Sequence, residues 1–410
     1  MKPLLLFVIS AYLVGACTAP TAVSAPPQAV RPHAPTTTPT LQPVVVLHPP
    51  WYTTAIHLPA LPPHLTHPAV IAVIDTGIDR THPALHGQIN VRMTVVAEEN
   101  GDPQGHGTHT AGLIASRDPR APGICPACQL IDIQAIHASG YGSDSTVAHG
   151  ITSAIAAGAN IINLSVGGSD ASDTMLRAIA YARQHDVLVV AAAGNRRHEL
   201  TYPAAYPDVL AVSAINRDKR LALFAQQGDI VAPGVDILNI SPFGTGLSTE
   251  SGTSTSAAQV SAAAGLVRSL RPDLSAIQTR ELLLRSATDL GQPGPDAEFG
   301  YGLLNVGALL DALRDPHVTQ RGCIRGHIQS TTPHTMRIEL VNGNHVYPDA
   351  NGFFQFTGLE AGTYQLQVVG LDHAIRMQAL TIPISGIGLN DTVVTIRVAD
   401  YHATAQTIHP

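Results

Sequence analysis

The chain has 410 residues, of which 45% are hydrophobic and 13% are charged, and its formal net charge is −7. Because one hydrophobic core usually serves roughly 100 to 200 residues, this length predicts two or three structural units. The apolar content excludes a chain that is disordered throughout. The acidic balance provides no positive field for a phosphate backbone, so we expect no nucleic-acid partner.

Residues 1–17 have the pattern of an export signal. They read MKPLLLFVISAYLVGAC, in which a lysine precedes an apolar run that ends in small residues before Cys17. The run is too short to span a bilayer. Its end, VGAC, resembles a bacterial lipobox, whose cysteine receives a lipid and becomes the new N-terminus. We expect Cys17 to anchor an exported protein in the cell envelope, which would be at the outer membrane or cell surface if the cell is Gram-negative. An ordinary cleaved signal peptide is the alternative.

The other cysteines are disulfide candidates, since an exported chain meets oxidising conditions. Cys125 and Cys128 stand in the sequence CPAC and could close a tight local disulfide. Alternatively, Cys323 could pair with one of these cysteines and link two structural units of the chain. The sequence does not choose between these pairings, and one thiol must stay unpaired. A zinc or redox site is disfavoured because the chain has no second CxxC motif.

Composition divides the rest of the chain into three parts. Residues 18–67 are dense in proline, threonine, alanine and histidine, which predicts a disordered tether without a core. Residues 68–314 alternate short apolar runs with alanine-rich helical segments, which predicts an α/β fold with helices on both faces of a parallel sheet. Residues 320–400 hold alternating runs between turn residues and predict a small C-terminal all-β sandwich. Their stretch YPDANGFFQFTGLEAGTYQLQVVG resembles the prealbumin-like modules called carboxypeptidase regulatory-like domains.

Within the α/β part, the apolar runs have no polar face, as strands buried on both sides require. The predicted strands are 69–75, 130–136, 161–167, 187–194 and 209–215. The predicted helices follow His106 and cover about 145–157, 174–185, 254–270 and 275–286. Because active sites of such sheets lie at the carboxyl ends of the strands, the polar residues that follow these runs are the functional candidates.

Three of these candidates fit the chemistry of a nucleophilic serine, which needs a base and a carboxylate that orients the base. Asp75 ends the apolar strand of IAVIDTGID, and His106 begins the helix of GHGTHTAGLIAS. Ser254 lies at the start of the helix in SGTSTSAAQVSAAAGLV, where the helix dipole favours developing negative charge. His109 is the rival base, but it falls one turn further into the apolar pattern. Asn195, after the strand in LVVAAAGN, offers an amide to an oxyanion.

Together these motifs resemble the subtilases, the family of subtilisin-like serine peptidases. The family carries its triad aspartate in DTGI, its histidine in HGTH and its serine in GTS, which match Asp75, His106 and Ser254. Its oxyanion asparagine matches Asn195 in AAAGN. The resemblance implies a subtilisin-like fold and a serine endopeptidase that acts through an acyl-enzyme.

The resemblance also implies how substrate binds. Subtilases hold an extended polypeptide as an added strand between two backbone segments, so that main-chain hydrogen bonds supply affinity. Here those segments match Ser139, Gly140, Tyr141 and Gly142, and Leu164, Ser165, Val166 and Gly167. Arg196, directly after the oxyanion asparagine, is either a rim residue that favours acidic or polar side chains before the scissile bond or a solvated surface arginine.

The chain departs from the family pattern in places. Residues 255–259 read TSAAQ where the family has Met, a small residue, another residue, Pro and His, which we expect to change helix packing and leave the reacting groups intact. The segment from His106 to Gly123 lacks the asparagine-rich loop of calcium-binding relatives, so we assign no metal site and leave the usual calcium site in doubt. We expect no organic cofactor, a monomer, and no folded prodomain within residues 18–67.

Two other functions remain open at this point. A catalytically silent lipoprotein could use the same cleft to capture extended peptides at the cell surface. A structural or adhesive lipoprotein could use the C-terminal sandwich with the larger part as scaffold. The intact set of reacting residues favours the enzyme.

Overall fold

The computed structural model describes residues 49–61, 65–96, 101–197, 201–206 and 208–314, and, toward the C-terminus, 322–329, 336–340, 345–346, 348, 352–359, 362–370, 375–384, 392–399 and 402–407. The predicted signal, Cys17 and the first part of the predicted tether lie outside these residues.

A seven-stranded parallel sheet forms the centre of the molecule, with strand order β2-β3-β1-β4-β5-β6-β7. This arrangement confirms the predicted α/β fold class. The strands predicted from sequence are β1, β3, β4, β5 and β6, whereas β2 and β7, at the two edges, were not predicted. The strands are β1 Val70–Asp75, β2 Ile89–Thr94, β3 Gln129–Gln134, β4 Ile161–Leu164, β5 Leu188–Ala192, β6 Val209–Ile215 and β7 Ile230–Pro233.

Helices pack on both faces of the sheet. Side chains of β1 alternate between two cores: Ile71 joins the one that contains α2, α5, α6 and α7, and Ile74 joins the one that contains α3 and α4. Serine caps begin α3, α4 and α6. The helices are α1 Trp51–Ala55, α2 His106–Ala115, α3 Asp144–Ala156, α4 Asp173–Gln184, α5 Thr253–Leu270, α6 Ala276–Ser286 and α7 Val306–Ala312, with a 3₁₀ turn at Pro83–Leu85.

The folded part of the chain begins earlier than the sequence predicted. The tether was expected to reach residue 67, but α1 lies within it, and Tyr52 and Ile56 are fully buried in the core that α5 and α7 share. The Ile56 carbonyl also accepts a hydrogen bond of 2.8 Å from the Val306 amide at the start of α7. Residues around α1 are therefore part of the packed structure, because two large apolar side chains outweigh the proline-rich composition that surrounds them.

Seventeen strands in all are described, and the remaining ones follow β7. A hairpin of β8 Ile237–Ile240 and β9 Leu247–Glu250 comes directly before α5. Two four-stranded sheets follow, with orders β13-β10-β16-β17 and β12-β11-β14-β15. Their strands are β10 Gly322–Gln329, β11 Met336–Leu340, β12 His345–Val346, β13 Phe353–Leu359, β14 Gly362–Gly370, β15 Ile375–Ile384, β16 Thr392–Ala399 and β17 His402–Thr407.

The two C-terminal sheets share one hydrophobic core, as a sandwich requires. Ile324 and Phe356 come from one sheet, and Ile338 and Leu366 from the other. The sheets are antiparallel with one exception, since β10 and β16 run parallel. The two sheets with their shared core fit the predicted all-β sandwich.

Of the pairings left open for the cysteines, the structure forms the local one. Cys125 and Cys128 are joined, with their Cα atoms 5.3 Å apart, and both are fully buried. Cys323 lies in β10, and its side chain is outside the described part. Among the described helices, none combines the length and apolarity needed to cross a membrane.

Candidate active site

Asp75 and His106 meet at the carboxyl end of the central strand β1. Asp75 is fully buried, and its Oδ1 accepts a hydrogen bond of 2.7 Å from the Thr76 amide. His106 Nδ1 lies 2.8 Å from Oδ1 and 3.0 Å from Oδ2 of the same carboxylate. A carboxylate can only accept, so Nδ1 carries a proton, and in the neutral imidazole Nε2 is left with a lone pair. The predicted pairing of these two side chains is present.

Glycine in the HGTH sequence allows this approach. Gly107 follows His106 in α2, and a methyl group built on it would lie 3.2 Å from Asp75 Cβ and would also overlap the Gly77 carbonyl oxygen. Any larger residue would push the start of α2 away from the end of β1. The glycine is therefore what brings the imidazole within hydrogen-bonding distance of Asp75.

The two histidines of α2 have their pKa values shifted in opposite directions. Burial lowers the pKa of His106, but the charge and hydrogen bond of Asp75 outweigh burial, and with smaller contributions from Glu250 and Asp102 the pKa rises to about 9. Burial and the nearby His106 lower the pKa of His109 to about 3. His109 is neutral at neutral pH, and its Nδ1 contacts the Glu250 carboxylate instead of Asp75, so it does not compete as the base.

Asp102 supports this pair and was missed by the sequence reasoning. Its Oδ1 accepts 2.7 Å and 2.8 Å hydrogen bonds from the Thr76 hydroxyl and the Gly105 amide, and its Oδ2 accepts one of 2.7 Å from the Thr108 amide. The carboxylate thus caps the first turn of α2 and also fixes Thr76, which contacts Asp75. Burial raises the pKa of Asp102. An aspartate four residues before the histidine, at a helix start, is the signal that could have revealed it.

Ser254 is the second residue of α5, the longest helix described, and is only partly buried. Its carbonyl accepts a 3.3 Å hydrogen bond from the Ser165 hydroxyl, which ties the start of α5 to the end of β4. The free amides and dipole of α5 face the position where negative charge would develop on an attacked carbonyl.

Asn195 follows β5 and turns its amide toward the same space. Its Oδ1 accepts 3.0 Å hydrogen bonds from both the amide and the hydroxyl of Thr253, so the Nδ2 group points the other way. A methyl group built on Gly252 would lie 3.0 Å from Ser254 Oγ and 3.3 Å from Asn195 Nδ2. The hydroxyl and the amide donor therefore border one small volume.

Of the two predicted substrate-binding segments, the first follows β3 and the second begins at Leu164, the last residue of β4. In the first, Ser139 and Tyr141 are exposed, and Tyr141 O accepts a 2.8 Å hydrogen bond from the His137 amide. In the second, the side chains of Leu164 and Val166 are buried in the core with α3 and α4, so only their backbone groups could contact a substrate. Arg196 is exposed.

The residues after Ser254 that depart from the family pattern act in packing. Gln259 Nε2 donates to the Pro233 carbonyl at 2.6 Å and to the Thr255 carbonyl at 3.2 Å. Ser256 donates to the carbonyls of Ala232 and Pro233. These side chains tie α5 to the end of β7, on the side of the helix away from the reacting groups.

A second carboxylate, also missed by the sequence reasoning, lies near the histidines. Glu250 ends β9, and its Oε2 lies 3.3 Å from His109 Nδ1. No pattern in the sequence announces it, because the contact depends on the hairpin β8–β9 folding back against α2. Across the described ranges, no group of three or more His, Cys, Asp or Glu side chains is placed to hold a metal ion.

Comparison with known proteins identifies the family. The family model described as the subtilase family matches residues 67–302, which is more than half of the chain. The chain is a subtilase. This subtilase is 37% identical over 244 residues to Subtilisin Savinase of Lederbergia lenta, an alignment that covers 58% of this chain and 89% of the relative. It is also 37% identical over 244 residues to an alkaline protease of Shouchella clausii, covering 58% of this chain and 63% of that protein.

A third relative extends further along the chain. Fervidolysin of Fervidobacterium pennivorans is 32% identical over 361 residues, which cover 76% of this subtilase and 51% of fervidolysin. The chain thus spans about half the length of that relative. With the family established, the interpretation of this subtilase as a serine endopeptidase that acts on polypeptides is confirmed.

Proposed function

We propose that this endopeptidase cleaves peptide bonds with Asp75, His106 and Ser254 as its catalytic triad and Asn195 as an oxyanion donor. The observation that carries the assignment is the bond of 2.8 Å between His106 Nδ1 and the buried Asp75 carboxylate. It fixes the tautomer whose Nε2 can take a proton from a hydroxyl, which is the requirement for a serine nucleophile.

The reaction then proceeds in two halves. Ser254 Oγ attacks the scissile carbonyl carbon and gives its proton to His106 Nε2. The carbon–nitrogen bond breaks as the leaving nitrogen takes that proton from Nε2, and an ester on Ser254 remains. Water attacks the ester, its proton passes through His106, and Ser254 Oγ leaves as a hydroxyl. Asp75 stays ionised throughout and stabilises the imidazolium.

The negative oxygen of each tetrahedral intermediate would be held by Asn195 Nδ2 and the Ser254 amide. Support for this role comes from the fixed direction of Nδ2, since both hydrogen bonds of Thr253 go to Oδ1. The N-terminus of α5 adds the favourable end of its dipole. Such preorganised donors act where charge develops and need no rearrangement during the reaction.

We further propose that an extended substrate pairs with the backbone of residues 139–142 and 164–167. Arg196, exposed next to Asn195, would favour an acidic or polar side chain before the scissile bond. A peptide series that varies only this residue tests the idea: equal turnover of the Lys and Glu members would remove the role of Arg196.

Outside the peptidase part, we propose export, lipidation of Cys17 and a prealbumin-like module over residues 320–400, with no organic cofactor, no assigned metal site and a monomeric state. The supporting observations are the lipobox-like VGAC and the two four-stranded sheets with one core. Metabolic labelling with palmitate, compared between wild type and Cys17→Ser, tests the anchor; a lipid label that persists in the variant contradicts it.

Mass spectrometry after treatment with a fluorophosphonate tests the triad. The probe should form a phosphorus–oxygen bond with Ser254 Oγ and release fluoride, and Ser254→Ala or His106→Ala should abolish the adduct. Ser145→Ala, an exposed serine on α3, is the matched control and should label normally. A folded wild-type protein that forms no adduct on the peptide containing Ser254 would contradict the proposed mechanism.

A further inference from the structure

Glu250 is a carboxylate beside the triad that the catalytic cycle does not use. It ends β9, four residues before Ser254. Its Oε2 lies 3.3 Å from His109 Nδ1, and its side chain is 32% exposed while that of His109 is 1% exposed. The carboxylate therefore reaches from the hairpin β8–β9 onto the face of α2 that carries both histidines, and one side of it remains open to solvent.

In the described structure, the only cation that acts on this carboxylate is the imidazolium of His106. His109 is neutral, because burial and the nearby His106 lower its pKa to about 3. Within the described ranges, no ion pair joins Glu250 to an arginine or lysine. Burial and the carboxylates of Asp75 and Asp102 raise the pKa of Glu250, with only His106 opposing them. A partly buried carboxylate that no arginine or lysine neutralises is costly, and such groups cluster at functional sites.

The chemistry fixes which part of a substrate comes near Glu250. His106 protonates the leaving nitrogen, so the residue that carries this nitrogen must pass on the histidine side of the site. The acyl half lies on the other side, where Asn195 would hold its carbonyl oxygen. Glu250 acts electrostatically on His106. Its hairpin also packs against Gly105, the residue before His106, and its Oε2 contacts His109, one turn after His106. Glu250 thus lies on the histidine side of the site, where the residue after the scissile bond passes.

The same side of the site also offers an apolar surface. Phe243, at the tip of the hairpin β8–β9, is 66% exposed. A methyl group built on Gly105, the residue before His106, would lie 3.0 Å from Phe243 Cζ. An exposed aromatic ring and a carboxylate without an arginine or lysine partner together match a side chain with an aliphatic stem and a cationic head.

We propose that Glu250 selects lysine or arginine as the residue directly after the scissile bond, with Phe243 contacting the stem of that side chain. The inference rests on the proposed triad, since it uses His106 to define the leaving side. The incoming ammonium or guanidinium group would form the direct ion pair that no described arginine or lysine forms with Glu250. A glutamate at the same substrate position would be repelled.

Peptides that differ only in this residue test the proposal. We expect kcat/KM of the wild type to be on the order of 10-fold higher for Arg or Lys than for Gln, and lower again for Glu. Glu250→Gln should abolish the preference, Glu250→Lys should reverse it, and Glu250→Asp should retain it. Glu298→Gln, an exposed glutamate away from the site, is the control and should keep the wild-type order.

Two results would overturn the proposal. One is equal turnover of the Arg, Gln and Glu peptides by the wild type, and the other is an unchanged preference in a folded Glu250→Gln variant. Both leave the triad intact, because fluorophosphonate labelling of Ser254 and turnover of the Gln peptide are measured in the same samples. Loss of labelling in the wild type would instead point to failure of the triad assignment.

Discussion

The charge state of His106 sets the working pH of the enzyme. Its pKa of about 9 arises because Asp75 outweighs the effect of burial. The base must be neutral to accept the Ser254 proton, so we expect kcat/KM on a neutral peptide to rise with pH through about 9. Asp75→Asn should move this midpoint to lower pH and strongly reduce turnover. A midpoint near 6.5 in the wild type would contradict this account of the site.

The same shift affects stability with the opposite sign. The pKa of His106 is raised in the folded state from an ordinary value of 6.5 to about 9. Its contribution to the free energy of unfolding is therefore fully present below pH 6.5 and is lost as the pH rises through about 9. Activity and this part of the stability change in opposite directions over the same pH range.

Asn195 allows binding and catalysis to be separated. Because its Nδ2 would bond only the developing oxyanion, we expect Asn195→Ala to lower kcat by about 100- to 1000-fold with little change in KM. Asn195→Asp keeps the oxygen that accepts from Thr253 but removes the donor, so it should lose turnover and retain its melting temperature. Asn216→Ala, in an exposed turn, is the control. A variant that loses substrate affinity and not kcat would argue against an oxyanion role.

At the scale of elements, the start of α2 depends on Asp102. Asp102→Ala leaves the buried amides of Gly105 and Thr108 without their acceptor, and an unsatisfied buried group costs about 1 to 3 kcal/mol. We expect the free energy of unfolding to fall by about 2 to 4 kcal/mol in urea titrations. Turnover should fall as well, because Thr76 and the first turn of α2 hold Asp75 and His106. Asp173→Ala, at the start of α4, removes a helix-terminal carboxylate far from the site and should cost less than about 1 kcal/mol.

The central strands and the main helices could be predicted because each has an unambiguous pattern. The strands β1 and β3 to β6 are apolar on both faces, and serine caps mark several helix starts. The edge strand β2 was missed because INVRMT is only partly buried and mixes polar with apolar residues. The hairpin β8–β9 was missed because its strands are four residues each and β9, LSTE, is largely polar.

The residues of the candidate site also fall into a group that local sequence patterns predict and a group that depends on tertiary contacts. Asp75, His106, Ser254 and Asn195 each follow a strand or begin a helix, so local pattern exposes them. Glu250 becomes a candidate site residue only through its tertiary contact with His109, which local sequence patterns do not predict. The short helix α1 belongs to the same class, since its burial depends on distant partners in α5 and α7.

For the molecule as a whole, the segment around α1 is part of the stability of the peptidase. Ile56 is fully buried in the main core, and removing its side chain leaves a cavity that costs about 2 to 5 kcal/mol. We therefore expect Ile56→Ala to lower the melting temperature, as measured by calorimetry, without moving the pH dependence of activity. Leu58→Ala, only partly buried nearby, should cost less. If neither variant lowers the melting temperature, the segment around α1 does not contribute to the stability of the peptidase and belongs to the tether.

The hydrogen bond from Val306 to Ile56 brings the beginning and the end of the peptidase unit side by side. A domain whose two ends are adjacent can be inserted into a surface loop of another protein without distorting either structure. For the same reason the domain suits circular permutation, in which a short linker joins the original ends and new termini are opened in an exposed turn. The peptidase unit could therefore be transferred into another protein as an inserted domain.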